Sequence, residues 1–66
     1  MPNNAFILGT PWIEYLFDDE PDAIGHYIKG YYEHGDLAFP PVVLAVEKVP
    51  DSNRIAVTFA NRYEVK

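Results

Sequence analysis

From Arg54 onward the chain alternates between apolar and polar side chains. Ile55, Val57, Phe59, Tyr63 and Val65 fall on one face, and Arg54, Thr58, Arg62, Glu64 and Lys66 on the other. Ala56 and Ala60 lie between the polar positions, and Asn61 is the single interruption. A period of two over this length predicts a strand covered on one side and solvated on the other, with Asn61 marking a bulge or bend. Residues 42–49, Val-Val-Leu-Ala-Val-Glu-Lys-Val, are rich in β-branched side chains and predict a second strand. Between the two, residues 50–53 (Pro-Asp-Ser-Asn) have the composition of a turn. The C-terminal third is therefore expected to be a β-hairpin.

The period changes upstream. Ile24, Tyr27, Ile28 and Tyr31 recur at i, i+3, i+4 and i+7, with Asp22, His26, Lys29 and Glu33 on the opposite face. Pro21 suits a first helical position and Gly35 a C-terminal one, so a helix is expected over residues 21–34. Gly25 and Gly30 flank its apolar stripe and each weaken such a helix by about 1 kcal/mol relative to Ala. Thr10-Pro11 offers a second cap and first-turn pair, which predicts a two-turn helix over residues 11–17 with Trp12, Ile13, Leu16 and Phe17 inward. The same residues also fit a strand. Residues 5–8, Ala-Phe-Ile-Leu, form a short apolar run closed by Gly9 that suits a strand or a helical turn. The simplest assembly is a single α+β domain over residues 1–66. Two helices pack on one face of a small antiparallel sheet made from the C-terminal hairpin, with residues 5–8 available as a third strand.

Size matters to this picture. A 66-residue chain buries only about 60% of its unfolded surface and usually needs disulfides, a metal, oligomerisation or a dense core. Cysteine is absent, which removes disulfides and thiolate ligands. Ten aromatic side chains (Phe6, Trp12, Tyr15, Phe17, Tyr27, Tyr31, Tyr32, Phe39, Phe59 and Tyr63) remain as the main packing resource. No apolar run approaches the roughly 20 residues of a membrane span, and residues 5–8 are too short for a signal peptide, so a cytoplasmic location is expected.

The net charge of −5 is unevenly spread. Residues 1–47 hold eight acids against one base, a net −7, whereas residues 48–66 hold four bases and two acids, a net +2. The acidic part would repel phosphate and attract a basic partner. Five carboxylates crowd between Glu14 and Asp22: Glu14, Asp18, Asp19, Glu20 and Asp22. Acids near a helix N-terminus are favourable by about 0.3–1 kcal/mol each, which accounts for Glu20 and Asp22 but not for Glu14 and Asp18. If the two helix ends meet, Glu33 and Asp36 extend the group into one acidic face, with Tyr32 as an aromatic anchor inside it.

Other chemistry is poorly provided for. His26 and His34 lack the three convergent ligands that a metal requires, so neither a metal nor a cofactor is expected. Thr10, Ser52 and Thr58 are the hydroxyl candidates for a nucleophile, and each has a plainer role as cap, turn or solvated strand residue. An enzyme is not expected.

In size, lack of cysteine and acid-loaded N-terminal half, the chain resembles the small phage-encoded inhibitors of host defence, namely anti-CRISPR proteins and DNA-mimicking anti-restriction proteins. The resemblance is one of size and charge over the whole chain, with no shared motif, so no residue role transfers. It implies an acidic inhibitor acting as a DNA mimic on a basic, DNA-binding surface of a CRISPR effector subunit. The residues that the charge pattern itself offers for such contact are Glu14, Asp18, Asp19, Glu20, Asp22, Tyr32, Glu33 and Asp36. A monomer fits that role. The alternative is a structural or assembly module that self-associates through the hairpin edge or through exposed Tyr32 and Phe39.

Overall fold

The structure, a computed structural model, describes residues 5–65. Along the chain lie β1 (Phe6–Leu8), β2 (Trp12–Phe17), α1 (Ala23–His34), β3 (Val42–Lys48), β4 (Arg54–Ala60) and β5 (Arg62–Glu64). Strands β2, β4 and β3 form an antiparallel sheet in that order, and β1 pairs with β5 in a separate antiparallel pair. The expected arrangement of two helices on a hairpin sheet is therefore corrected: the fold is mostly β, with one helix.

The correction turns on residues 11–17. Trp12, Glu14 and Leu16 point to one side of β2 and Ile13, Tyr15 and Phe17 to the other, an in–out alternation that only a strand produces. β2 pairs with β4 from Trp12 opposite Phe59 to Phe17 opposite Arg54. Residues 5–8 do not join the hairpin sheet as its third strand. Phe6, Ile7 and Leu8 pair instead with Glu64, Tyr63 and Arg62. Asn61 is the break between β4 and β5, and its carbonyl accepts the Gly9 N–H at 2.8 Å. The chain runs 6–17 and 54–64 thus make one long kinked ribbon, to which β3 adds a third strand at one end only. Lys66, expected on the polar face, lies outside the described residues.

β3 and β4 form the expected hairpin. The turn is tied by Ser52, whose hydroxyl donates to the Val49 carbonyl at 3.2 Å and accepts the Arg54 N–H at 3.0 Å. Asp51 sits in the left-handed region there, with φ 58°. Between Val43 and Ala45 the ladder slips by one residue, a bulge that places Leu44 out of register.

α1 covers one side of the sheet over β2 and β4. Trp12, Tyr27, Tyr31 and Phe59 stack there, with ring centroids 4.8–5.9 Å apart. Among the described residues Phe59, Val57 and Ala60 are the fully buried hydrophobic side chains. The Trp12 indole N–H donates to the Tyr27 hydroxyl at 3.2 Å, and that hydroxyl donates to the Glu14 carboxylate at 3.0 Å. The inward carboxylate is thereby satisfied. Burial raises the Tyr27 pKa above its ordinary value of 10, and the Glu14 carboxylate raises it further.

The helix begins two residues later than Pro21 suggests. Asp22 caps it in a left-handed conformation, with φ 58° and no side-chain capping bond. A Cβ at Gly25 would meet the Asp22 carboxylate, an exposed side chain free to turn aside. Gly30 has nothing within 4 Å of a would-be Cβ. Gly30→Ala is therefore expected to stabilise the protein by about 1 kcal/mol, as helix propensity alone dictates. A rise in the urea midpoint with an unchanged slope is the expected result.

The molecule is elongated, 47 × 21 × 18 Å, with a radius of gyration of 13.6 Å against about 11 Å for a compact chain of this length. Among the described residues twelve large hydrophobic side chains remain exposed. Among the described residues no helix is long and apolar enough to cross a membrane.

Candidate functional site: an acidic corner beside an open sheet face

Two features meet at the end of the sheet where β2 stops and β4 starts. The first is the face of the sheet opposite α1. Because Trp12, Glu14 and Leu16 face the helix, Ile13, Tyr15 and Phe17 occupy the uncovered side, and they are 52%, 55% and 44% exposed. Arg54 lies opposite Phe17, with its guanidinium carbon 4.1 Å from the ring centroid and one η nitrogen donating to the Tyr15 carbonyl at 3.1 Å. Tyr, Phe and Arg on a flat exposed surface have the composition of a protein-binding hot spot.

The second feature is the link from β2 to α1. It folds beside the β3–β4 turn, because the Asp18 N–H donates to the Asn53 carbonyl at 2.8 Å. Asp18, Asp19, Glu20 and Asp22 are thus gathered at one corner, with Asp51 on the adjoining turn. Lys48 bonds to Asp18 at 2.5 Å and also to the Ser52 carbonyl. His26 lies 3.4 Å from Glu20. Asp19 and Asp22 have no ion pair among the described residues. A depression of about 350 Å³ opens here, lined by Phe17, Ala23, Ile24 and Ile55 and rimmed by Asp18, Glu20 and Asp22. An apolar floor with a carboxylate rim matches a Lys or Arg side chain, whose stem seeks apolar surface and whose head seeks charge.

The predicted site residues divide accordingly. Asp18, Asp19, Glu20 and Asp22 come together. Glu14 does not join them, because it is turned inward onto Tyr27. Glu33 and Asp36 lie at the opposite end of α1, and twelve helical residues separate them from the corner by about 18 Å. The seven-carboxylate face expected from two adjacent helices is absent, since one of those helices is a strand. Tyr32 is exposed near the far end of α1. Phe39 is no free aromatic: its ring meets Phe6 edge-on at 5.2 Å, with the Arg62 guanidinium over both rings. Ile13, Tyr15, Phe17 and Arg54 were outside the expected site. Their signal in the sequence is an outward stripe that becomes visible once residues 12–17 are read with a period of two.

A larger groove of about 440 Å³ lies at the far end, between residues 36–39 and 61–64. Its Arg62 guanidinium lies over the two phenylalanine rings, and Asp36 and Glu64 also line it. Among the described residues no three His, Cys, Asp or Glu side chains are placed to share a metal ion. Comparison with family models, with curated proteins and with solved structures gave no match.

Proposed function

We propose that the chain is a protein-docking module that seats a basic surface of its partner against the acidic corner and anchors it on the open face of the sheet. The observation that carries this is the adjacency of Phe17 to the carboxylate-rimmed depression, which offers apolar anchorage and negative charge within one contact area.

A surface shaped in this way competes with phosphate for Lys and Arg side chains. The basic, DNA-binding subunit of a CRISPR effector complex, implied by the resemblance to small acidic inhibitors, is one partner of this chemistry. The recognition would be local, a single corner engaging a few cationic side chains, and not an extended imitation of a phosphate backbone.

Affinity capture from a cell extract at low and high salt tests the proposal. A basic protein should bind at low salt and leave as ionic strength rises. The triple variant Asp19→Lys, Glu20→Lys and Asp22→Lys should lose it, and so should Tyr15→Ala with Phe17→Ala. Retention of the same partner by both variants would refute the proposed surface.

A further inference from the structure

We infer that β3 is a self-complementary edge through which two copies of the chain pair, antiparallel about a two-fold axis at Val46, into one six-stranded sheet. β3 is an outer strand of its sheet, and residues 42–46 form an uncharged apolar run along it. Val43, Leu44 and Val46 are 40%, 44% and 50% exposed, since α1 lies over β2 and β4 and leaves this side bare. Natural edge strands are usually blunted by charge, and the charges of β3, Glu47 and Lys48, are confined to its C-terminal end. Lys48 turns its ammonium group to Asp18 and to the Ser52 carbonyl, away from service as an edge charge.

The ladder shows which backbone groups are free. Val49 donates to the Arg54 carbonyl at 3.0 Å, so Glu47–Ala56 and Ala45–Thr58 are the hydrogen-bonded pairs in that register. The N–H and C=O of Val46 and Lys48 therefore point outward. A second copy centred on Val46 would set Ala45 opposite the second copy's Glu47, and Leu44 opposite its Lys48. No like charges face one another. Each acidic corner adjoins the Lys48 end of its own β3, so antiparallel pairing puts the two corners at opposite ends of the shared edge. With the axis at Val46 the two Lys48 residues lie four strand positions apart, about 13 Å along the edge, still beyond the roughly 8–10 Å Debye length.

Surface area argues for a second copy and for a reversible one. The chain exposes 4773 Å², where about 4,200 Å² is usual for a folded monomer of its 7.5 kDa. The excess approaches what one partner contributes to an interface, about 800 Å², without reaching it. Association should therefore be concentration-dependent. This inference does not depend on the proposed docking function.

Sedimentation of the intact chain over a range of concentrations, joined to amide hydrogen exchange, tests it. The mass should rise from 7.5 kDa toward twice that value. Protection of the Val46 and Lys48 amides should rise in parallel. The β2 edge supplies the internal control: Asp18 donates to Asn53, so the Ile13, Tyr15 and Phe17 amides also point outward and should stay unprotected. Val46→Pro removes an outward N–H and no ladder bond, and should weaken dimerisation about tenfold or more while preserving the fold. If that variant fails to fold, Val46→Lys, which places two ammonium groups across the axis, should act in the same way. A chain that stays monomeric at every concentration, or dimerises with protection at Ile13, Tyr15 and Phe17 instead, overturns the inference.

Discussion

Phe59→Ala is expected to leave most of the chain unfolded at 25 °C. Phe59 is fully buried on the central strand, and its ring stacks on Trp12 at 5.7 Å and on Tyr27 at 4.8 Å. It therefore joins β2, β4 and α1 at a single point. Truncating a buried Phe costs about 3–5 kcal/mol, and a domain of this size has only about 3–10 kcal/mol in total. Few buried neighbours are available to collapse into the gap, because among the described residues Val57 and Ala60 are the only other fully buried hydrophobic ones. Circular dichroism should show the loss of the cooperative thermal transition. A variant that melts within a few degrees of the wild type would place the core elsewhere.

The second large effect concerns the Trp12–Tyr27–Glu14 chain of hydrogen bonds. Tyr27→Phe keeps the ring stacking and removes only the hydroxyl, so Glu14 loses its donor and Trp12 its acceptor. A half-buried group left unpaired costs about 1–3 kcal/mol. The pH dependence follows from the raised pKa of Tyr27. A group whose folded pKa lies above its unfolded value of about 10 contributes stability below that value and loses it as pH rises through the folded one. Wild-type stability should thus fall above about pH 10, and Tyr27→Phe should be less stable at neutral pH and flatter in that alkaline window. Urea titrations at neutral and alkaline pH read both effects. Equal slopes for the two proteins would show that the hydroxyl is not coupled to folding.

These residues also show what the sequence could and could not disclose. The β3–β4 hairpin was legible because its signals agree: alternation from Arg54 onward, β-branched residues in 42–49, and between them a turn of residues 50–53, which Ser52 ties with two local bonds. The helix was legible from Ile24, Tyr27, Ile28 and Tyr31, although Pro21 pointed two residues too early. β2 was not legible as a strand over a helix, because its pattern is inverted. The inward positions include Glu14, whose charge suggests solvent, and all three outward positions are large and apolar. The carboxylate is acceptable inside only because Tyr27, thirteen residues on, supplies its hydrogen bond. A pairing of that range leaves no local trace.

The acidic site was half legible for a related reason. Asp18, Asp19, Glu20 and Asp22 are close in space because they are close in sequence, so composition alone finds them. Glu33 and Asp36 depended on a second helix that does not form, and their separation follows from the length of α1. The outward apolar stripe of β2 would have been found by asking which strand positions the fold has no need to make apolar. That question has an answer only after the helix is known to cover the opposite side.

The docking surface itself is tested most directly by nuclear magnetic resonance on the labelled chain, titrated with the basic protein captured at low salt. Shift changes should concentrate at Ile13, Tyr15, Phe17, Arg54 and Asp18 to Asp22, and should fade as salt is raised. Changes confined to α1 around Tyr32 and Glu33, or to the groove beside Phe39 and Arg62, would contradict the account.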